Sequence, residues 1–223
     1  MIKLEKLQAL QREIRQDDLQ ELSIPTWELV SESIRKNKID EALKYLSYGC
    51  SENMRMHDGS ILFTSMLLNY LAINFGENQI EKMLRERYVP RVEEWLKTLP
   101  DVQGSLYRIS ESMRGHFSKF TIKEEKDRYV FRFDPCGSGG RLMRTSPVGV
   151  TKKAYPWSWG KKGISYYCTH CCLLFEIIPI EIRGYPISVV CCPEKPTDPC
   201  IHMYYKQPNL IPKKYFERLG MKK

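Results

Sequence analysis

Phe120-Thr121-Ile122-Lys123-Glu124-Glu125-Lys126-Asp127-Arg128-Tyr129-Val130-Phe131-Arg132-Phe133 decides the fold. Phe120 and Ile122 alternate with polar residues, and Glu125-Lys126-Asp127 is a turn. Tyr129, Phe131 and Phe133 then alternate again, opposite Arg132 and Asp134. A period of two sends every second side chain to one face, so this segment is a β-hairpin. Upstream the period is helical. Ile2, Leu4, Leu7, Leu10, Ile14 and Leu19 predict an amphipathic first helix, and Thr26 is placed to cap a second through Lys36. Ile39–Tyr48 continues the helical pattern. After Asp58-Gly59-Ser60, the stretch Ile61–Ile73 is apolar on most sides and predicts the buried centre of a small bundle. Glu77–Leu99 is helical with a kink or break at Pro90, and Asp101–His116 is one more helix.

Downstream of the hairpin, Cys168–Ile178 predicts a short helix, Ile187–Cys192 and Cys200–Lys206 predict strands, and Ile211–Leu219 a closing helix. The expected class is α+β: an N-terminal helical bundle fused to a small antiparallel sheet with a packed helix and a cysteine-rich metal site. The expected division is a helical region, 1–117, and a cysteine-rich α+β region, 118–223, packed as one compact unit.

With 42% hydrophobic residues in 223, the chain buries a real core, which excludes disorder and a collagen-like fibre. No apolar run approaches the ~20 residues that span a bilayer, and the N-terminus lacks a signal-peptide core. A soluble, cytoplasmic protein without a membrane partner is expected, with a homo-oligomer left open. Residues 1–100 carry 14 basic and 16 acidic side chains, whereas residues 101–223 carry 21 and 11. The net charge of +8 therefore belongs to the second half, as do seven of the eight cysteines.

Clustered thiols in a reducing compartment are candidates for metal binding rather than disulfides. Cys168-x-x-Cys171-Cys172 has an interval found in zinc sites, and on a helix Cys168 and Cys172 share a face. Cys200 and His202 share a strand face, and Cys136 sits in a loop after the hairpin. The first-choice metal set is Cys136, Cys168 and Cys172, with His116 or His202 nearby. Zinc is the expected ion, and iron or an iron–sulfur cluster the alternative. Buried reduced thiols without metal are the plain reading. Glu176, one helical turn beyond Cys172, is a candidate general base, with His116 beside it.

Cys136-Gly137-Ser138-Gly139-Gly140-Arg141 is a glycine loop able to approach an anion closely. Gly139 with Arg141 and Arg144 makes a candidate carboxylate clamp; a tight turn is the alternative. The spacing fits neither a P-loop nor a dinucleotide fingerprint. Lys152–Lys162 interleaves cations with Trp157 and Trp159. These tryptophans are expected to wall a small-molecule pocket, with single-stranded nucleic acid the less favoured partner.

Cys168…Glu176…Cys191-Cys192…Asp198-Pro199-Cys200-Ile201-His202 resembles the C-terminal end of two related bacterial families. These are the aminothiazoline-carboxylate hydrolase-like proteins and the vinyl-reductase-type small-molecule-binding domains. The resemblance is confined to the final third. His202 stands where those families usually carry Phe, and Asp198-Pro199 replaces their Gly-Asp turn. It implies a helical part joined to an antiparallel sheet, and a small-molecule enzyme or binding domain. The combined expectation is a metal-dependent hydrolase or lyase acting on a small organic acid. The alternatives are a non-catalytic binding or sensor module with a structural zinc, and single-stranded nucleic-acid binding.

Overall fold

The computed structural model of the chain describes residues 3–16 and 19–223. Two compact units form, Met1–His57 and Asp58–Lys223.

In the first unit the expected opening helix is a hairpin of β1 (Leu4–Leu7) and β2 (Arg12–Arg15), with Leu7 facing Arg12. Tertiary bonds override the helical spacing. The Arg15 backbone N–H donates to Tyr48 Oη at 2.8 Å, and its guanidinium donates to Thr26 Oγ1 and to the Glu21 and Ile24 carbonyls. Gln11 closes the turn in the left-handed region, and Leu4, Leu10 and Leu19 remain exposed, so a helix would bury little here. Ile2 lies outside the described residues. Helix α1 (Thr26–Arg35) begins at Thr26 itself, whose hydroxyl is engaged by Arg15 rather than capping. Leu29 and Tyr45 make the small core of this unit.

Helix α2 (Ile39–Phe75) joins the Ile39–Tyr48 and Ile61–Ile73 patterns without interruption through Asp58-Gly59-Ser60. A single Gly costs a helix only about 1 kcal/mol. The second unit takes its last stretch, which is not a buried centre. Ser65, Leu68 and Ala72 form one buried stripe, whereas Phe63 and Ile73 are 62% and 65% exposed. Helix α3 (Asn78–Thr98) continues past Pro90, held by buried Leu84, Val92 and Trp95. Helix α4 (Val102–Gly115) starts at Asp101, whose carboxylate accepts from the Gly104 N–H at 2.7 Å.

The hairpin appears as β3 (Phe120–Glu124) and β4 (Arg128–Phe133), with Phe120 facing Phe133. Helix α5 (Gly139–Thr145) follows the Cys136 loop. Helix α6 (Thr169–Cys172) passes through a π turn, Leu173–Ile177, into α7 (Ile178–Arg183). Strands β5 (Val189–Cys191) and β6 (Cys200–Tyr205) complete an antiparallel sheet of order β3-β4-β6-β5, and α8 (Lys214–Glu217) is shorter than expected. One sheet face presents Phe131, Phe133, His202 and Tyr204 to Phe175 and the main core. The other packs Val189, Met203 and Tyr205 against Ile211 and Phe216. The α+β class holds, and among the described residues no helix is long and apolar enough to cross a membrane.

Candidate functional site

Antiparallel pairing decides which cysteines meet. Phe133 faces Cys200 and Cys191 faces Ile201. The C-terminal ends of β4 and β5 therefore lie beside the N-terminal end of β6. Cys136, Cys192 and Cys200 arrive together at this end of the sheet, and the start of α6 adds Cys168 and Cys171. All five line one cavity of about 190 Å³. Cys191 belongs instead to the far-face core, because neighbouring strand residues point to opposite sides.

Tyr88, Phe133, Trp159, Tyr167 and Phe175 supply aromatic walls, and His116, His170 and His202 also line the space. Exposed Arg91 contributes a cation. Among the described residues, no Asp or Glu lines the cavity.

The glycines of the Cys136 loop serve close approach rather than turn conformation, since none has a positive φ. A Cβ on Gly137 would lie 2.1 Å from the His116 carbonyl oxygen, and one on Gly139 would lie 2.6 Å from Cys168 Sγ. The loop is pinned where its carbonyls and amides find partners. Gly137 N donates to Ser118 Oγ at 2.6 Å, and Arg141 N donates to the Cys136 carbonyl at 2.9 Å.

The thiols act on one another electrostatically. The neighbouring Cys192 thiol, then burial, pushes the Cys168 pKa well above the usual range. Burial and the facing Cys136 and Cys168 do the same for Cys171, and burial with Cys136, Cys171 and Cys168 for Cys200. At Cys192 the Cys168 thiol pulls downward, but burial and the surrounding thiols win. Without a cation among them, these groups hold their protons. The eight cysteines form no disulfide.

His170 and His202 are neutral as well. Burial pushes His202 down to about 3, and it lowers His170. His170 Nδ1 lies 2.5 Å from the Tyr167 carbonyl, which can only accept, so the proton sits on Nδ1. Nε2 is then the acceptor, 3.4 Å from Cys171 Sγ.

Of the residues expected from sequence, Cys136, Cys168, His116, His202, Gly139 and Trp159 come together here. Cys172 does not. Its thiol reaches the Pro156 carbonyl at 3.5 Å, outside the cavity lining. Glu176 is sequestered with no exposed surface. Its carboxylate accepts from Trp159 Nε1 at 2.7 Å, Val190 N at 2.9 Å and Arg218 Nη2 at 2.6 Å. Burial raises its pKa against the pull of Arg218; both oxygens are engaged by these donors, and Glu176 itself does not line the cavity.

Arg141 grips the Asp58 carboxylate through Nε and Nη2. Arg144 holds Asp134 and the Pro196 carbonyl. The carboxylate clamp is thus already filled by the chain itself. Trp157 and Trp159 are 1% and 3% exposed, so neither offers a face on which a base could stack.

Cys171, Cys192, Cys200, His170 and Arg91 are cavity residues outside the expected set. The C-x-x-C interval signals Cys171, and pairing the two late strands across their turn would bring Cys192 opposite Cys200. Among the described residues, no three His, Cys, Asp or Glu are placed to hold a single metal ion. Comparison with protein-family profiles finds no match, and comparisons with curated proteins and with solved structures find none either.

Proposed function

We propose that the chain is a metal-dependent enzyme, a hydrolase or lyase acting on a small organic acid, with its metal centre held by cavity thiolates. One observation carries the reading: five cysteines, from the loop after β4, the start of α6, the residue after β5 and the start of β6, line a single cavity. Soft thiolates select zinc or iron, and binding would release their protons. A thiol-rich cavity of this kind fits a reducing, cytoplasmic setting.

Arg91 takes the part that Arg141, already paired with Asp58, cannot take. An exposed guanidinium at an aromatic-walled cavity is suited to a substrate carboxylate. His116 and His170 are the proton-handling groups beside the centre, in place of Glu176.

A second reading follows from the number of thiols. A catalytic zinc keeps three protein ligands and an open position, whereas four close it. Five thiols are enough for a closed centre, which would make the chain a binding or sensor module.

Elemental analysis of the purified chain tests both. Bound metal that is lost in Cys168→Ser supports a metal centre, and X-ray absorption then separates open from closed coordination. Protein that takes up no metal, and whose thermal midpoint ignores added metal, overturns it.

A further inference from the structure

Resting on that metal-centre reading, we infer that the cofactor of this cavity is an iron–sulfur cluster held by four of its five cysteine thiolates. The geometry suits a cluster better than an ion. Four sulfurs around one zinc at ~2.3 Å stand within ~4 Å of each other. Here five cysteines line a cavity of about 190 Å³, and among the described residues no three potential ligands are placed to hold one ion. A cluster brings its own iron and sulfide into such a space, and the surrounding thiolates need only reach its corners.

Ligand count agrees. Both [2Fe–2S] and [4Fe–4S] clusters take four cysteines, and Cys136, Cys168, Cys171, Cys192 and Cys200 all line the cavity. Ligand chemistry agrees too. The absence of Asp and Glu from the described lining disfavours hard ions. The supports are rigid on three sides: strand ends at Cys192 and Cys200, a loop pinned by Ser118 at Cys136, and a helix start at Cys168. As each sulfur–iron bond forms, its thiol gives its proton to solvent.

The test is anaerobic reconstitution of the full chain with ferrous iron and inorganic sulfide. Iron, acid-labile sulfide and visible absorption are then measured. The expected result is iron and sulfide in equal amounts, about two or about four of each per chain, with absorption bleached by dithionite. At least three of the five single serine variants at the cavity cysteines should lose most of the bound iron. Cys50→Ser and Cys191→Ser should keep it. Circular dichroism checks each fold, and the half-buried Cys136 keeps the test decisive if a buried variant fails to fold. Zinc or iron bound without sulfide overturns the cluster and leaves the metal centre standing. No bound metal under either condition overturns both.

Discussion

Gly139 faces the Cys168 sulfur so closely that a β-carbon added to it would stand 2.6 Å from Sγ. Its φ is not positive, so the backbone would accept alanine, and helix propensity at the start of α5 would favour it. The cost lies in the sulfur, which must move. Overpacking of this kind costs ~1–3 kcal/mol. Gly139→Ala is expected to fold with a lower thermal midpoint, to displace the Cys168 sulfur and to load less metal. Unchanged stability and unchanged metal loading would show the contact to be slack.

Arg141 and Asp58 form a two-nitrogen fork, with Nε 3.0 and 2.9 Å from the carboxylate oxygens and Nη2 2.7 Å from Oδ1. Lysine keeps the charge but not the planar fork. The pair is partly exposed, so Arg141→Lys should cost about 1–2 kcal/mol of stability, between exposed and buried pairs. Affinity for a small carboxylate should not change, because this guanidinium is already spent on Asp58. A double-mutant cycle with Asp58→Asn measures the coupling. A weaker carboxylate affinity at unchanged stability would return Arg141 to the binding site.

These two contacts show where sequence reasoning stops. The β3–β4 hairpin is legible because alternation around Glu125–Asp127 admits one pairing, and Phe120 does face Phe133. The spacing of Leu4, Leu7, Leu10 and Ile14 suits a helix and a hairpin alike. What settles it is Tyr48, 33 positions from Arg15. Cys136 and Cys168 could be picked out by loop and motif, but Cys192 and Cys200 needed strand register. Cys172 misleads because a shared helix face does not say which neighbours each thiol meets: its sulfur reaches the Pro156 carbonyl, 16 positions away. No local pattern marks Asp58 as the partner of Arg141, 83 positions away.

Glu176 anchors the C-terminal segment through Arg218 at 2.6 Å while its other oxygen holds Trp159 and Val190. Removing one member of a buried ion pair strands the other, at ~3–5 kcal/mol. Glu176→Gln is therefore expected to lower the unfolding midpoint strongly, while folded molecules bind as much metal as the parent. Chemical denaturation paired with metal analysis at low temperature checks both parts. A stable variant that binds metal but loses turnover would make Glu176 a reacting group after all.

Glu77 offers the pH dependence. Its carboxylate accepts from Tyr166 Oη at 2.6 Å, Lys152 N at 2.7 Å and Tyr155 Oη at 2.8 Å. Burial works to raise its pKa, but these bonds outweigh burial and hold it below the usual carboxylate range. A carboxyl whose folded pKa lies below its unfolded one binds fewer protons when folded. Its stabilisation is complete above the unfolded value of about 4.3 and fades as pH falls through the folded value. Glu77→Gln should thus destabilise the chain by roughly 1–3 kcal/mol near neutral pH. The gap should close below about pH 4. Urea unfolding of both proteins, followed by tryptophan fluorescence from neutral pH down to about pH 3, tests the sign. A gap that stays constant across that range would mean that glutamine costs packing at this site and that the charge contributes nothing.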